Sequence, residues 1–347
     1  MMTNSFVQHF GLKGPLVLAP LAGGPYTPRL AAAVAEAGAL ASVGAAYMGP
    51  NEMIRTTQEL RQFTKRPFVI NLFAPEPVRA VSASELKAAL EATQVYREEW
   101  KLPPPLVQPP YHENFDAQFA TMLDLKPAAF SYVFGLLDDA HVRACQSRGI
   151  YLIGAATTPE EAERVQASGA DAVVCQGVEA GGHRAILNSQ SPDPGISTLD
   201  LVRASARRLH IPIIAAGGLM TGADIAGALK AGAQAAQLGT AFLCTEEAGT
   251  SPAYRKVLHD PTPTELTRVF SGRWARGMSN RFLEEMKGKP ILPFQAQNKL
   301  TRDLRQACHA HGSSELLSLW AGTGVHHLRE GRAADLVRTL FLEIESA

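Results

Sequence analysis

The chain has 347 residues, with 33 basic and 33 acidic side chains and therefore a formal net charge of zero. This balance argues against a protein that binds nucleic acid or anionic membranes through a strongly basic surface. Hydrophobic residues make up 46% of the chain, enough for a large core. No apolar run approaches the roughly 20 residues that cross a bilayer. The length fits either two domains or one α/β barrel with insertions.

The four cysteines are scattered and lack the CxxC spacing of a disulfide framework or a structural zinc site. They are Cys145, Cys175, Cys244 and Cys308. We therefore expect no metal. Residues 1–14 lack the long apolar core and the small-residue cleavage site of a signal peptide. The chain is thus predicted to be cytoplasmic, and no feature of the sequence indicates its oligomeric state.

Short apolar runs alternate with alanine-rich helical segments along most of the chain. In chain order, the predicted strands are 15–20, 40–46, 67–73, 128–135, 150–156, 170–177, 212–218 and 235–243. Such continuous apolar strands predict a parallel sheet that is buried on both faces. Thr158 and Pro159 are typical of a helix start, and Gly169 and Gly232 stand where helices should end.

Eight strand–helix units predict a TIM (β/α)8 barrel with a helical insertion after strand 3 and a mostly helical C-terminal lid or tail. A six-stranded doubly wound sheet is the alternative, but it leaves two units unplaced. The expected division is a barrel core over about 1–243, with the insertion at about 75–122, and a substrate-covering segment and tail over about 244–347. Within that tail, VFSGRWARGMSN is interpreted either as a lid over the site or as a surface loop.

Ligands of such barrels bind at the carboxyl ends of the strands. The predicted ends of the last two strands bring Gly217 and Gly218 beside Gly239 and Thr240. Glycines let the backbone approach a ligand, and free N–H groups at a short helix start favour an anion. These residues therefore indicate the site of a phosphate-bearing cofactor, although tight turns would also explain the glycines. Neither a GxGxxG motif nor a P-loop lysine motif occurs.

Two amide side chains, Asn71 and Gln176, end otherwise apolar strands. A buried amide needs hydrogen-bond partners, which either a cofactor ring or neighbouring loops could supply. No lysine stands at a strand end to form the Schiff base of pyridoxal phosphate, so flavin mononucleotide (FMN) is favoured. His183 follows two glycines in VCQGVEAGGHRA and is the main titratable group predicted near that ring. An imidazole can exchange a proton at neutral pH or hold an anion, whereas an isolated loop histidine is more often solvated.

Several segments together resemble the nitronate monooxygenase family, formerly called 2-nitropropane dioxygenases. They are APLAGG, NLF, QGVEAGGHR, AAGGL, QLGTAFL and FSGRWARG. The resemblance covers about residues 15–281 and continues more weakly through PFQAQNKLTRDLR and LWAG. It implies that His183 is the catalytic residue and that FMN is the cofactor. Together with the strand-end pattern, it assigns these residues to FMN: Ala22, Asn71, Gln176, Gly181, Gly217, Gly218, Gln237, Leu238, Gly239 and Thr240. Trp274 is expected to narrow the substrate pocket.

The resemblance implies oxidation of small alkyl nitronates, such as propionate 3-nitronate, with O2 to a carbonyl compound and nitrite. The partners would be this small molecule and O2, with no nucleic acid or membrane. A second hypothesis keeps FMN but makes the protein an NAD(P)H-dependent reductase of quinones or enoyl thioesters. A third is a barrel with a degenerate site, and the intact set of Gln176, His183 and Gly239–Thr240 argues against it.

Overall fold

The computed structural model describes residues 4–76, 79–260 and 262–347. Its strands, in chain order, are β1 Leu16–Leu18, β2 Ala41–Gly44, β3 Phe68–Phe73, β4 Ala129–Val133, β5 Tyr151–Ala156, β6 Ala172–Gln176, β7 Gly182–His183, β8 Ile213–Ala216, β9 Ala235–Leu238, β10 Thr264–Thr267 and β11 Ala275–Met278. Eight of them form one parallel sheet in the order β1-β9-β8-β6-β5-β4-β3-β2. Each of the eight lies inside one of the predicted apolar runs.

The sheet closes on itself between its first and last strands. The N–H of Leu18 donates to the carbonyl of Leu40 at 2.8 Å, and the N–H of Leu40 donates to that of Leu16 at 2.9 Å. Strands β1 and β2 are buried along their whole length, as expected for a sheet covered on both faces. The TIM barrel is therefore confirmed, and the doubly wound alternative is wrong.

Helices alternate with the barrel strands. They are α1 Ser5–Phe10, α2 Pro28–Ala37, α3 Pro50–Phe63, α4 Ala83–Glu99, α5 Phe115–Leu125, α6 Asp139–Gln146, α7 Pro159–Ala167, α8 Thr198–Ala206, α9 Gly222–Lys230, α10 Pro252–Leu258, α11 Arg281–Glu285, α12 Ala296–Ala310 and α13 Ala333–Ser346. Two short 3-10 helices cover Thr240–Phe242 and Thr323–His327. The helix start predicted at Thr158 is confirmed, since its side chain accepts the N–H of Glu161 at 3.1 Å. None of the described helices is long and apolar enough to cross a membrane.

The insertion after β3 contains α4, whereas α5 packs against α3 and β3 and serves as the outer barrel helix between β3 and β4. Helix α4 begins with a capping box, in which Ser82 and Glu85 satisfy each other's backbone N–H groups. Helix α4 is joined to α12 by a bidentate ion pair, because Arg97 contacts both carboxylate oxygens of Asp303 at 2.6 and 3.0 Å. Residues of the insertion are thus fastened to the C-terminal segment that lies across the barrel.

The C-terminal segment contributes to two parts of the molecule. Strands β10 and β11 form a small antiparallel sheet with β7, so this segment is not made of helices alone. Helix α13 packs against both α2 and α9 and takes the place of the eighth outer helix of the barrel. The division of the chain near residue 243 stays a prediction, and α13 lies on the barrel side of any structural division.

Candidate functional site

A cavity of about 690 Å³ opens at the carboxyl ends of the barrel strands. All the residues assigned to the cofactor and the catalytic histidine line it. They are Ala22, Asn71, Gln176, Gly181, His183, Gly217, Gly218, Gln237, Leu238, Gly239 and Thr240. The structure therefore brings together residues that are spread over more than two hundred positions of the sequence, because they lie at or after the carboxyl ends of strands of the same barrel.

One end of the cavity is built from the turns after β8 and β9. Gly217 and Gly218 have φ values of +126° and +69°, a backbone region that favours glycine. Among the described residues, the N–H groups of Gly218, Gly239 and Thr240 have no hydrogen-bond acceptor. Free N–H groups that converge at a turn and a helix start are suited to an anion such as a phosphate. Tight turns alone would not require these donors to stay free.

The three amide side chains at the strand ends are used in different ways. Asn71 donates from Nδ2 to the hydroxyl of Ser131 at 2.9 Å. Its Oδ1 and the whole amide of Gln237 have no protein partner in the described part of the chain, although both residues line the cavity. Those atoms can serve the polar edge of a bound ring. Gln176 differs, because its amide is occupied by protein.

Gln176 fixes the loop that carries the histidine. Its Nε2 donates to the carbonyl of His183 at 3.0 Å, and its Oε1 accepts from Arg184 and from the N–H of Ala185, both at 2.8 Å. Arg184 is completely buried and pairs with Asp193 at 2.5 Å. For Gln176, the sequence left hydrogen bonds to neighbouring loops as the alternative to a contact with a cofactor ring, and the structure contains those hydrogen bonds. Arg184 is a buried residue with a structural role.

A second acid, Glu179, shapes the other side of this loop. Its carboxylate accepts from the N–H and the hydroxyl of Thr198 at 2.9 and 2.8 Å. These bonds hold the start of α8, where a negative charge is favourable. Glu179 follows a predicted strand end in the sequence, but its carboxylate bonds to the start of α8 and is not available to a ligand.

His183 itself is held between two elements of the C-terminal segment. In the short β7, it pairs with Ala275 of β11, and its Nε2 lies 2.7 Å from the hydroxyl of Ser271. Both partners belong to the segment VFSGRWARGMSN, which therefore covers and orients the histidine instead of forming a free surface loop. Trp274 does not line the cavity, so the expectation that it narrows the substrate pocket is wrong.

The surroundings of His183 keep its imidazole neutral. Burial, followed by the positive charges of Arg273 and Arg305, lowers the pKa of His183 to about 3. The imidazole is half-buried, and part of its surface faces the cavity. Protein surrounds the imidazole and the cavity, so burial remains the main cause of the lowered pKa. A neutral imidazole at neutral pH can accept a proton or donate one hydrogen bond, but it contributes no charge to hold an anion.

Aromatic rings pack around the histidine. The rings of Phe134 and Phe294 lie 5.9 Å from the imidazole and that of Trp320 lies 5.4 Å from it. Arg273 stacks on Phe134 with its guanidinium carbon 3.9 Å from the ring centre, and it pairs with Glu76 at 3.0 Å. These contacts restrict the orientation of the imidazole and remove water from one side of it.

Several lining residues lie away from the barrel strand ends. They include the turn at Trp320, Gly322 and Gly324 and the face of α12 that carries Asn298, Arg302 and Arg305. The arginines occur in PFQAQNKLTRDLR at helical spacing, which is the signal that would place them on one face. His309 is exposed and also lines the cavity.

The fold and the whole length of the chain match one family. The family model for nitronate monooxygenase covers residues 4–343. A nitronate monooxygenase of Pseudomonas aeruginosa is 40% identical, and the match covers 99% of both chains. A nitroalkane oxidase from Streptomyces ansochromogenes has the same fold, with a TM-score of 0.93, 37% identity and 98% of each chain covered.

A more distant solved structure, FabK from Thermotoga maritima, has a TM-score of 0.76 and 24% identity over 98% of this chain and 95% of its own. At that identity, the likeness shows a shared barrel alone. The family match and the high identities, in contrast, cover nearly every residue that builds the cavity. The chain therefore belongs to the nitronate monooxygenase family of oxidoreductases.

Proposed function

We propose that the protein is an FMN-dependent nitronate monooxygenase that converts small alkyl nitronates and O2 to a carbonyl compound and nitrite. The observation that carries this proposal is the neutral His183 in a cavity whose described lining contains arginines and no acidic residue. Such a cavity favours an anionic small molecule over a cationic one. Family membership supplies the class of reaction.

The cavity residues fit FMN. The free N–H groups of Gly218, Gly239 and Thr240 would hold its phosphate, and the open amide atoms of Asn71 and Gln237 would meet the polar edge of its ring. Ala22, Gly181, Gly217 and Leu238 would contribute backbone or apolar contacts. Bound FMN would supply the acceptor of substrate electrons and the site of reaction with O2.

The protein itself supplies orientation and proton handling. With a nitronate substrate, no proton has to be removed, and His183 would orient the anion by a hydrogen bond. With a neutral nitroalkane, the neutral imidazole would take the proton from the carbon beside the nitro group. The ring nitrogen for this step is Nδ1, because Nε2 is engaged by Ser271. Phe134, Phe294 and Trp320 would exclude water from that side of the imidazole.

The test is an absorption spectrum of the purified protein, followed by separate anaerobic titrations with propionate 3-nitronate and with NADH. We expect a bound flavin whose spectrum responds to the nitronate, together with O2 uptake that needs no NADH. Rapid bleaching by NADH without any response to the nitronate would instead favour a reductase of quinones or enoyl thioesters. A colourless protein that cannot be loaded with FMN would favour a degenerate barrel. The cytoplasmic location stays a prediction that cell fractionation would test.

A further inference from the structure

A second recess lies at the amino ends of the barrel strands, on the face of the barrel opposite to the cavity. It has a volume of about 290 Å³ and lies where α3 and α5 end and where β3 and β4 begin. Its lining includes the basic residues Arg61, Lys65, Arg66 and Lys126, which define what we call the basic recess. The described lining contains no acidic residue.

Two of these basic side chains also serve the scaffold. Arg61 donates through Nη2 to the carbonyl of Leu125, and its guanidinium carbon lies 5.5 Å from the ring centre of Phe68. Lys65 donates from Nζ to the carbonyl of Arg61 at 2.9 Å. Both bonds satisfy carbonyl groups that a helix leaves free at its end. Helix capping therefore explains the positions of Arg61 and Lys65, but it does not neutralise their charges.

Arg66 and Lys126 have no such role. Their backbone N–H groups donate to the hydroxyl of Thr64 at 3.0 Å and to the carbonyl of Leu123 at 3.2 Å, but neither side chain has a partner in the described part of the chain. Glu36 approaches the recess, where its carboxylate accepts from the hydroxyl of Thr64 at 2.5 Å. One carboxylate balances at most one of the basic groups. The recess therefore carries excess positive charge in a protein whose formal net charge is zero.

The backbone of Lys126 adopts a conformation that lysine rarely takes. This residue ends α5 with a φ of +47° and a ψ of +60°, the left-handed region in which glycine or asparagine is usual. Lys126 precedes Pro127 at the start of β4, as Arg66 precedes Pro67 at the start of the neighbouring β3. Since the backbone at Lys126 disfavours lysine, the advantage of a basic residue there lies in its side chain.

We propose that the basic recess binds an anion that carries a diphosphate group. Phosphate oxygens accept several hydrogen bonds from arginine and lysine, and such bonds are strong because both partners are charged. The excess of basic groups over the single carboxylate favours a ligand with more than one negative charge, so a simple carboxylate does not match it. The site is separate from the cavity at the carboxyl ends of the strands, and a ligand bound there would stabilise the folded barrel.

The test measures the binding of inorganic diphosphate to the purified protein by calorimetry at constant ionic strength. In Arg66→Gln and in Lys126→Asn, we expect the affinity to fall at least about tenfold, because a hydrogen bond between charged groups is lost. Asparagine accepts the left-handed backbone, so Lys126→Asn should unfold at the same temperature as the unchanged protein or at a higher one. The control Arg338→Gln removes an exposed positive charge from α13, outside the recess, and should leave the affinity unchanged.

Adenosine diphosphate is the second ligand of the test. Equal affinity for both compounds identifies the diphosphate group as the part that is recognised, and a higher affinity for adenosine diphosphate indicates a nucleotide as its source. No binding of either compound, or the same affinity in Arg66→Gln, Lys126→Asn and the unchanged protein, overturns the proposal. Binding of an acidic peptide alone overturns it in favour of a protein partner. Neither Arg66 nor Lys126 lines the cavity, so these outcomes do not depend on the proposed function.

Discussion

At the scale of single residues, burial affects the charge of His183 and of Arg305 differently. Burial removes the charge of the imidazole by lowering its pKa to about 3. Burial also lowers the pKa of Arg305, but only to about 10, so this guanidinium remains charged at neutral pH. Under the proposed function, His183 would therefore meet the substrate as a neutral group, whereas Arg305 keeps its positive charge at the cavity.

Replacement of His183 by asparagine tests the proposed role of this residue as a base. Asparagine keeps a polar side chain but cannot accept a proton, so turnover of a neutral nitroalkane should fall about a hundredfold or more. Turnover of a preformed nitronate should fall less, because that substrate needs no proton removal. Steady-state O2 uptake with both forms of the same compound measures the difference. An unchanged rate with the neutral nitroalkane would show that His183 is not the base.

The pH profile provides an independent check on the same residue. A base acts in its neutral form, and the lowered pKa keeps His183 neutral from alkaline pH down to about pH 3. The kcat/KM for a neutral nitroalkane should therefore show no loss on acidification through pH 6.5, where an unperturbed imidazole gains its proton. A loss centred near pH 6.5 that disappears in His183→Asn would contradict the enclosed, neutral histidine.

The site residues that the sequence predicts are those that end barrel strands. Gln176 and Gly239, for example, follow apolar runs whose phase is clear, and parallel strands bring their ends to one edge. Arg302 and Arg305 carry no such signal, since their contribution depends on where α12 crosses the barrel. Trp274 shows the converse error, because this large side chain belongs to the segment that covers the histidine and yet does not line the cavity.

At the scale of elements, the loop that carries His183 is held from three sides. Strand β11 pairs with it, Glu179 ties it to α8, and the turn at Gly322 packs directly on Gly181. A Cβ atom on Gly181 would lie 2.5 Å from the nitrogen of Gly322. A glycine is thus required there by the approach of two backbones, whereas its contact with the cofactor stays a prediction.

The variant Gly181→Ala should displace the turn at Gly322 and with it the cavity wall. Overpacking of this kind costs about 1–3 kcal/mol of stability, and the shift should also weaken FMN binding. Gly182→Ala is the matched control, because a Cβ there meets no atom within 4 Å. Its only expected cost is backbone strain at a φ of +76°. Urea unfolding and FMN titration of both variants measure the effects. Equal FMN affinity in the two variants would show that the approach of Gly322 does not shape the site.

At the scale of the whole molecule, the barrel is completed by the far end of the chain. Helix α13 fills the gap between α9 and α2, and its Leu336, Val337 and Leu340 belong to the same buried cluster as the strands. The strand–helix repeat predicts eight strands, ends near residue 243 and gives no position for the last outer helix. The residues between β9 and α13 line part of the cavity before the chain returns to the barrel, so this segment is tied to the scaffold at both ends.

Truncation after Gly331 should therefore prevent folding of the barrel, although it removes no cavity residue. The loss of α13 would expose the apolar faces of α2 and α9, and burial of such side chains contributes about 1.5–3 kcal/mol each. That sum is comparable to the whole stability of a typical domain. Removal of the exposed Ser346 and Ala347 alone is the control and should leave the unfolding midpoint nearly unchanged. Circular dichroism and size-exclusion chromatography compare the two truncated chains. A folded, FMN-binding protein that ends at Gly331 would show that the ring of outer helices does not need α13.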